Sequence, residues 1–111
     1  MRYYLSIPDT SQLDQAGPFA FRSRGAEGLA DELRHALRTD VLFERWRAAQ
    51  EDPDAVDPSL GATDPAAEVH AEQRDLHIDL VVSTRLPGSL LKERLRLLSG
   101  SHWRLSDVKP D

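Results

Sequence analysis

Apolar and polar side chains alternate most cleanly over residues 76–83. Leu76, Ile78, Leu80 and Val82 fall on one side, and His77, Asp79, Val81 and Ser83 on the other, joined by Asp75 just before. A period of two marks a strand with one buried and one wet face. A parallel strand covered on both faces would not carry two aspartates, so the pattern predicts an antiparallel or mixed sheet. Residues 2–7, RYYLSI, alternate in the same way, with Tyr3, Leu5 and Ile7 inward and Arg2, Tyr4 and Ser6 outward. Pro8-Asp9 ends that strand. Residues 9–18 are polar and hold Gly17-Pro18, the composition of a loop. Phe19, Phe21 and Ser23 alternate with Ala20 and Arg22, which predicts a short second strand.

From Ala26 the period lengthens. Leu29, Ala30, Leu33, Ala36, Leu37 and Val41 recur at three and four, the stripe of an amphipathic helix. Ser23 or Gly25 stands at its start, and Glu27, Asp31 and Glu32 occupy its early turns, where the helix dipole favours acids. The helical pattern runs on through Phe43 and Trp46 to about Gln50, with a break at Thr39-Asp40 as the alternative. Pro87-Gly88-Ser89 opens another helix whose stripe is Leu90, Leu91, Leu95 and Leu98, with Lys92, Glu93 and Arg96 outward and Gly100 in the capping position. Residues 102–108 read as a last strand with Trp103 and Leu105 on one face.

Between these elements lies EDPDAVDPSLGATDPAAE, residues 51–68, with three prolines, one glycine and six acids. It reads as an exposed loop, longer than compact domains usually carry. The expected fold class is α+β: two helices packed on one face of a small, mostly antiparallel or mixed sheet, in one domain spanning 1–111. If residues 68–74 pair with 76–83 as a hairpin, the element order approaches a ferredoxin-like βαββαβ sandwich.

Composition narrows the function classes. The chain has 111 residues, 40% of them hydrophobic, and no cysteine, so thiolate metal sites, disulfides and a cysteine nucleophile are excluded. No apolar run reaches membrane-spanning length and no secretory h-region opens the chain, so the expectation is a soluble, cytoplasmic protein without membrane contact. The net charge of −5 gathers in the middle: residues 51–79 carry nine acids against Arg74 alone. An acidic whole opposes nucleic-acid binding, which needs phosphate neutralisation.

Four groups of residues offer chemistry. His77 and Asp79 stand at i and i+2 on one strand face and could share a metal or a proton, with His70 and Glu72 nearby in sequence. In a single extended strand, however, His70 and Glu72 fall on the opposite face, and a solvated sheet face is the stronger expectation. Asp52, Asp54, Asp57 and Asp64 present oxygen ligands but lack calcium-loop spacing. Arg22, Ser23 and Arg24 precede a helix N-terminus, a favourable place for a small anion, with Arg104 as a further contact. Tyr4 on the wet face and Leu42, outside the helical stripe, are candidates for contact with a protein partner. Ser101-His102 are neighbours and would point apart on a strand, so they form no nucleophilic pair. The expectation is a module for protein interaction or regulation, docking a partner or self-associating, and not an enzyme; no cofactor is expected. Small-anion binding is the alternative, and a metal-dependent enzyme built on His77 and Asp79 the third.

Overall fold

Strands form where the alternating segments lie. In the computed structural model, which describes residues 1–111, β1 is Arg2–Ile7, β2 Glu68–Arg74, β3 His77–Ser83 and β4 Arg104–Lys109. They make one sheet in the order β2-β3-β1-β4, with every neighbouring pair antiparallel. The helices are α1, Ala26–Arg38, α2, Val41–Ala48, and α3, Gly88–Ser99. The α+β class is as expected, residues 68–74 do pair with β3 as a hairpin, and β1 and β2 flank β3 as in a split βαβ arrangement. No helix is long and apolar enough to cross a membrane.

Twenty buried residues form one contiguous apolar cluster. Tyr3, Leu5 and Ile7 of β1 and Ile78, Leu80 and Val82 of β3 meet Leu29, Leu33 and Leu37 of α1 and Leu91, Leu95 and Leu98 of α3. Both helical stripes therefore cover one face of the sheet. The other face carries the polar alternates.

Several local expectations are corrected. Residues 19–23 are not a strand: Phe21 is buried, and its N–H donates to the Leu98 carbonyl of α3 at 2.8 Å, so the segment is tied to a helix end and not to a sheet edge. Residues 10–16 wind into a 3-10 helix that buries Leu13. The helical pattern does break at Thr39-Asp40, and the new start rotates the second stripe. Leu42 and Phe43 point into the protein, and Val41 faces out. Leu42 is therefore a core residue and not a free contact for a partner. Leu76 lies outside the strand. It sits fully out in the two-residue turn with Asp75, whose φ of 54° is a conformation Asp tolerates in tight turns. Trp103 precedes β4 and is held by its indole N–H on the Gly100 carbonyl at 3.0 Å.

The segment 51–67 is not simply an exposed loop. It has 3-10 turns at Pro53–Ala55 and Pro58–Gly61, and two buried polar side chains moor it. Arg94 of α3, only 2% exposed, donates to the carbonyls of Leu60 at 2.8 Å, Ala62 at 2.9 Å and Ala36 at 3.4 Å. Ala36 belongs to the last turn of α1, where carbonyls lack helical partners. The guanidinium also lies 6.0 Å from the centre of the Phe43 ring. Gly61 permits this packing, because a Cβ there would come within 2.6 Å of that ring. Burial lowers the Arg94 pKa from the usual arginine value, with nearby Glu93 acting in the opposite sense.

Removing a buried group that satisfies three carbonyls leaves each of them unpaired. Arg94→Ala is expected to cost about 3–5 kcal/mol in urea unfolding, a large part of a small domain's stability. Arg94→Lys recovers only part of this, since an ammonium cannot span the same fork. A loss below about 1 kcal/mol for the alanine variant would sink this account.

Candidate functional site

Two surfaces carry candidate residues. The first is the open face of the sheet. Strand register sets its rows: Glu68, Ser83, Arg2 and Lys109; then His70, Val81, Tyr4 and Asp107; then Glu72, Asp79, Ser6 and Arg104. Arg74 and His77 pair at the turn end. A shallow groove of about 440 Å³ runs over this face, lined by Tyr4, His70, Glu72, Arg74, Asp79 and Val81 among others.

The β2–β3 turn changes the geometry expected for the histidines. Because the chain reverses at 75–76, His70 and Glu72 share the face of His77 and Asp79 instead of opposing it. The structure thus brings Glu72, His77 and Asp79 around Arg74 and leaves His70 one row away, opposite Val81. The guanidinium of Arg74 lies 3.0 Å from a Glu72 oxygen and 3.0 Å from an Asp79 oxygen, and His77 Nε2 is 3.4 Å from the other Asp79 oxygen. A cation bonded to both carboxylates stands where a metal would have to bind. No group of three or more His, Asp or Glu side chains converges as a metal site. The arrangement is an ion-paired surface cluster.

The second surface is an open cleft of about 730 Å³ between α1, α2 and the segment before α1, with Arg22, Ser23, Glu32, His35, Leu42 and Arg45 in its lining. It contains the expected anion position, and an acid of the chain already occupies it. Glu32 accepts from the backbone N–H of Arg22 at 2.9 Å through one oxygen and from that of Ser23 at 2.9 Å through the other. Arg24 turns back on its own segment, donating to the Phe21 carbonyl at 2.8 Å, the Ser23 carbonyl at 2.9 Å and the Asp14 carboxylate. Arg104 belongs to the open sheet face, beside Ser6, and does not join the other three. Glu32 looked like one more acid of the early turns of α1. The signal for its role is its reach back from the second turn to the residues preceding the helix.

The acids of 51–68 do not converge on a shared cation. Asp64, 2% exposed, accepts from Thr84 Oγ1 and Arg85 N–H at 2.9 Å and from Ala66 N–H at 3.1 Å, with the Arg85 guanidinium 3.7 Å away. The Arg85 N–H bond, ahead of the opposing desolvation and of the Thr84 and Ala66 bonds, holds its carboxyl below the usual Asp value of 3.8. Asp64 therefore ties the end of the long connection to the turn before α3. Asp57 caps its own 3-10 turn through Ser59 N–H.

Compared with protein-family models, curated proteins and solved structures, the chain finds no match in any of the three.

Two outcomes follow from this geometry. Inorganic phosphate should leave the melting temperature of the wild-type protein unchanged and raise that of Glu32→Ala, whose two N–H groups are free. A rise in the wild type would mean that the anion position is open after all. Asp64→Ala should cost about 2–3 kcal/mol near neutral pH, since buried donors lose a charged acceptor. Because the folded pKa of Asp64 is lowered, its contribution is complete above the ordinary value of 3.8 and disappears as pH falls through the folded pKa. The stability gap between wild type and variant, measured by denaturant melts at a series of pH values, should therefore close only in acid. A gap that stays constant would refute the assignment.

Proposed function

We propose that this protein is a non-enzymatic interaction module that docks a protein partner on the open face of its sheet. The observation that supports this best is the layout of that face. Tyr4 lies near its middle, half-buried, with Val81 paired beside it on β3 and the Lys109 ammonium 5.3 Å from the ring centre. Charged side chains surround this pair: Glu72, Arg74, Asp79, Arg104, Asp107, Lys109 and Arg2. An aromatic anchor within a polar rim is the anatomy of a transient protein interface.

Strand addition is a poorer route for a partner. On the β2 edge, Arg34 donates to the Val69 carbonyl at 2.6 Å and Arg38 to the Ala67 carbonyl at 2.7 Å. The β4 edge carries Arg104, Asp107 and Lys109, a bulge near Ser106 and a following Pro110. Charges, bulges and proline all discourage pairing with a further strand.

Replacing Tyr4 with photoreactive benzoylphenylalanine tests the face directly. Irradiation in the native host should yield a discrete protein adduct from position 4 and none from the same probe at exposed Asp54. The absence of an adduct at position 4, or the same adducts from both positions, would overturn the reading.

A further inference from the structure

Resting on the docking role proposed above, we infer that the partner on this face is a second copy of the same chain. The two sheets stack face to face about a two-fold axis parallel to the strands.

Charge is sorted across the face. The β2–β3 half carries Glu68, Glu72 and Asp79 against Arg74, a net of −2 with histidines neutral. The β1–β4 half carries Arg2, Arg104 and Lys109 against Asp107, a net of +2. Asp111, at the end of the sheet, is matched by the N-terminal ammonium at 2.9 Å. The face is thus acidic on one side and basic on the other, with the polarity running across the strands.

Such a surface is complementary to itself in one orientation. A two-fold axis running along the strand direction between two stacked sheets exchanges left and right and keeps each row level. It sets β2 of one copy over β4 of the other and β3 over β1. Glu72 then faces Arg104 of the second copy, Val81 faces Tyr4, and His70 faces Asp107. An axis across the strands would instead set β2 over β2, acid against acid. Like charges brought together at an interface cost several kcal/mol, so that arrangement is disfavoured.

Other observations agree. Arg104 is exposed and has no ion-pair partner in its own chain, whereas Arg2 and Lys109 each have one and Arg74 has two. Stacked sheets lie about 10 Å apart with strands within about 30° of one another, which this axis satisfies. The groove over β2, β3 and β1 gives the second copy's Tyr4 a place to rest. The face is small, roughly 14 Å between outer strands and about 20 Å along them, at the low end for specific interfaces. The dimer is therefore weak, with dissociation in the micromolar range and strong sensitivity to salt.

Sedimentation velocity on the full chain, from about 1 to 200 µM at about 0.05 and 0.5 M salt, is the test. Wild type should pass from 12.5 kDa to twice that mass as concentration rises, and high salt should weaken association at least about fivefold. Glu72→Arg or Arg104→Glu alone should weaken it at least about tenfold. The two changes together should restore it to within about threefold, because the exchanged pair is again opposite in sign. Both side chains are exposed, and circular dichroism confirms that each variant folds. A monomer at every concentration, a dimer indifferent to either single change, or a double variant that stays weak would each overturn the inference. The crosslink from position 4 separates the two levels of failure. A monomer whose position 4 captures a different protein keeps the docking role and loses the dimer; a monomer with no adduct loses both.

Discussion

A guanidinium buried among carbonyls holds this fold together at its least regular point. Arg94 reaches from α3 to the end of α1 and to the connection that follows α2. Without it, the carbonyls of Leu60 and Ala62 would have no donor from the protein. Nothing periodic in residues 51–67 could supply one, because three prolines and a glycine forbid both helix and ladder. The hydrophobic cluster decides that α1 and α3 lie on the sheet. Arg94 and Asp64 decide how the chain passes between them. One supplies donors to the middle of the connection, and the other takes donors at its end. A positive and a negative charge, each buried and each bonded mainly to backbone, divide the work that a longer helix would do through its own hydrogen bonds.

This gives a physical meaning to a composition in which twelve of the fourteen basic residues are arginine. Arg24, Arg34, Arg38 and Arg47, like Arg94, donate to backbone carbonyls. The acceptors lie in irregular segments, at a helix end or on an edge strand, where the main chain has no ladder partner. Backbone carbonyls in such places need donors from somewhere. A planar fork can serve two or three of them at once, which a lysine does less well. The exposed ion pairs of the same arginines contribute little by comparison.

The two strands with strict alternation, β1 and β3, were legible, as were the two longer helices. Each buries a whole stripe, so pattern and environment agree. The arm at 68–74 is too polar to read alone, because Val69 is its one fully buried residue. The failures share a cause. Phe19, Phe21 and Ser23 alternate, but the segment is tied to the end of α3, where the Phe21 N–H meets the Leu98 carbonyl and its ring is buried. Leu42 looked spare on one long helix and is buried because the helix restarts at Val41. His70 and Glu72 looked opposed to His77 and Asp79 because only a turn at 75–76 turns them round. In each case the local pattern was sound, and the deciding fact was a change of direction. Arg94 did carry a signal, since it falls inside the apolar stripe between Leu91 and Leu98. The open face was legible as wet. Its sorting of charge from left to right was not, because that depends on strand order.

The edge of β2 is sealed by side chains that belong to α1. Arg34 and Arg38 cover the carbonyls of Val69 and Ala67 only while that helix lies on the sheet. Any opening that lifts α1 removes its apolar stripe from Val69 and strips both carbonyls at once. The first partly unfolded form of this chain would therefore present an unsealed edge strand with its hydrogen-bonding groups facing solvent. Stability of the α1 seat and resistance to aggregation are then one property, and a substitution that loosens the helix would be felt first as loss of soluble protein.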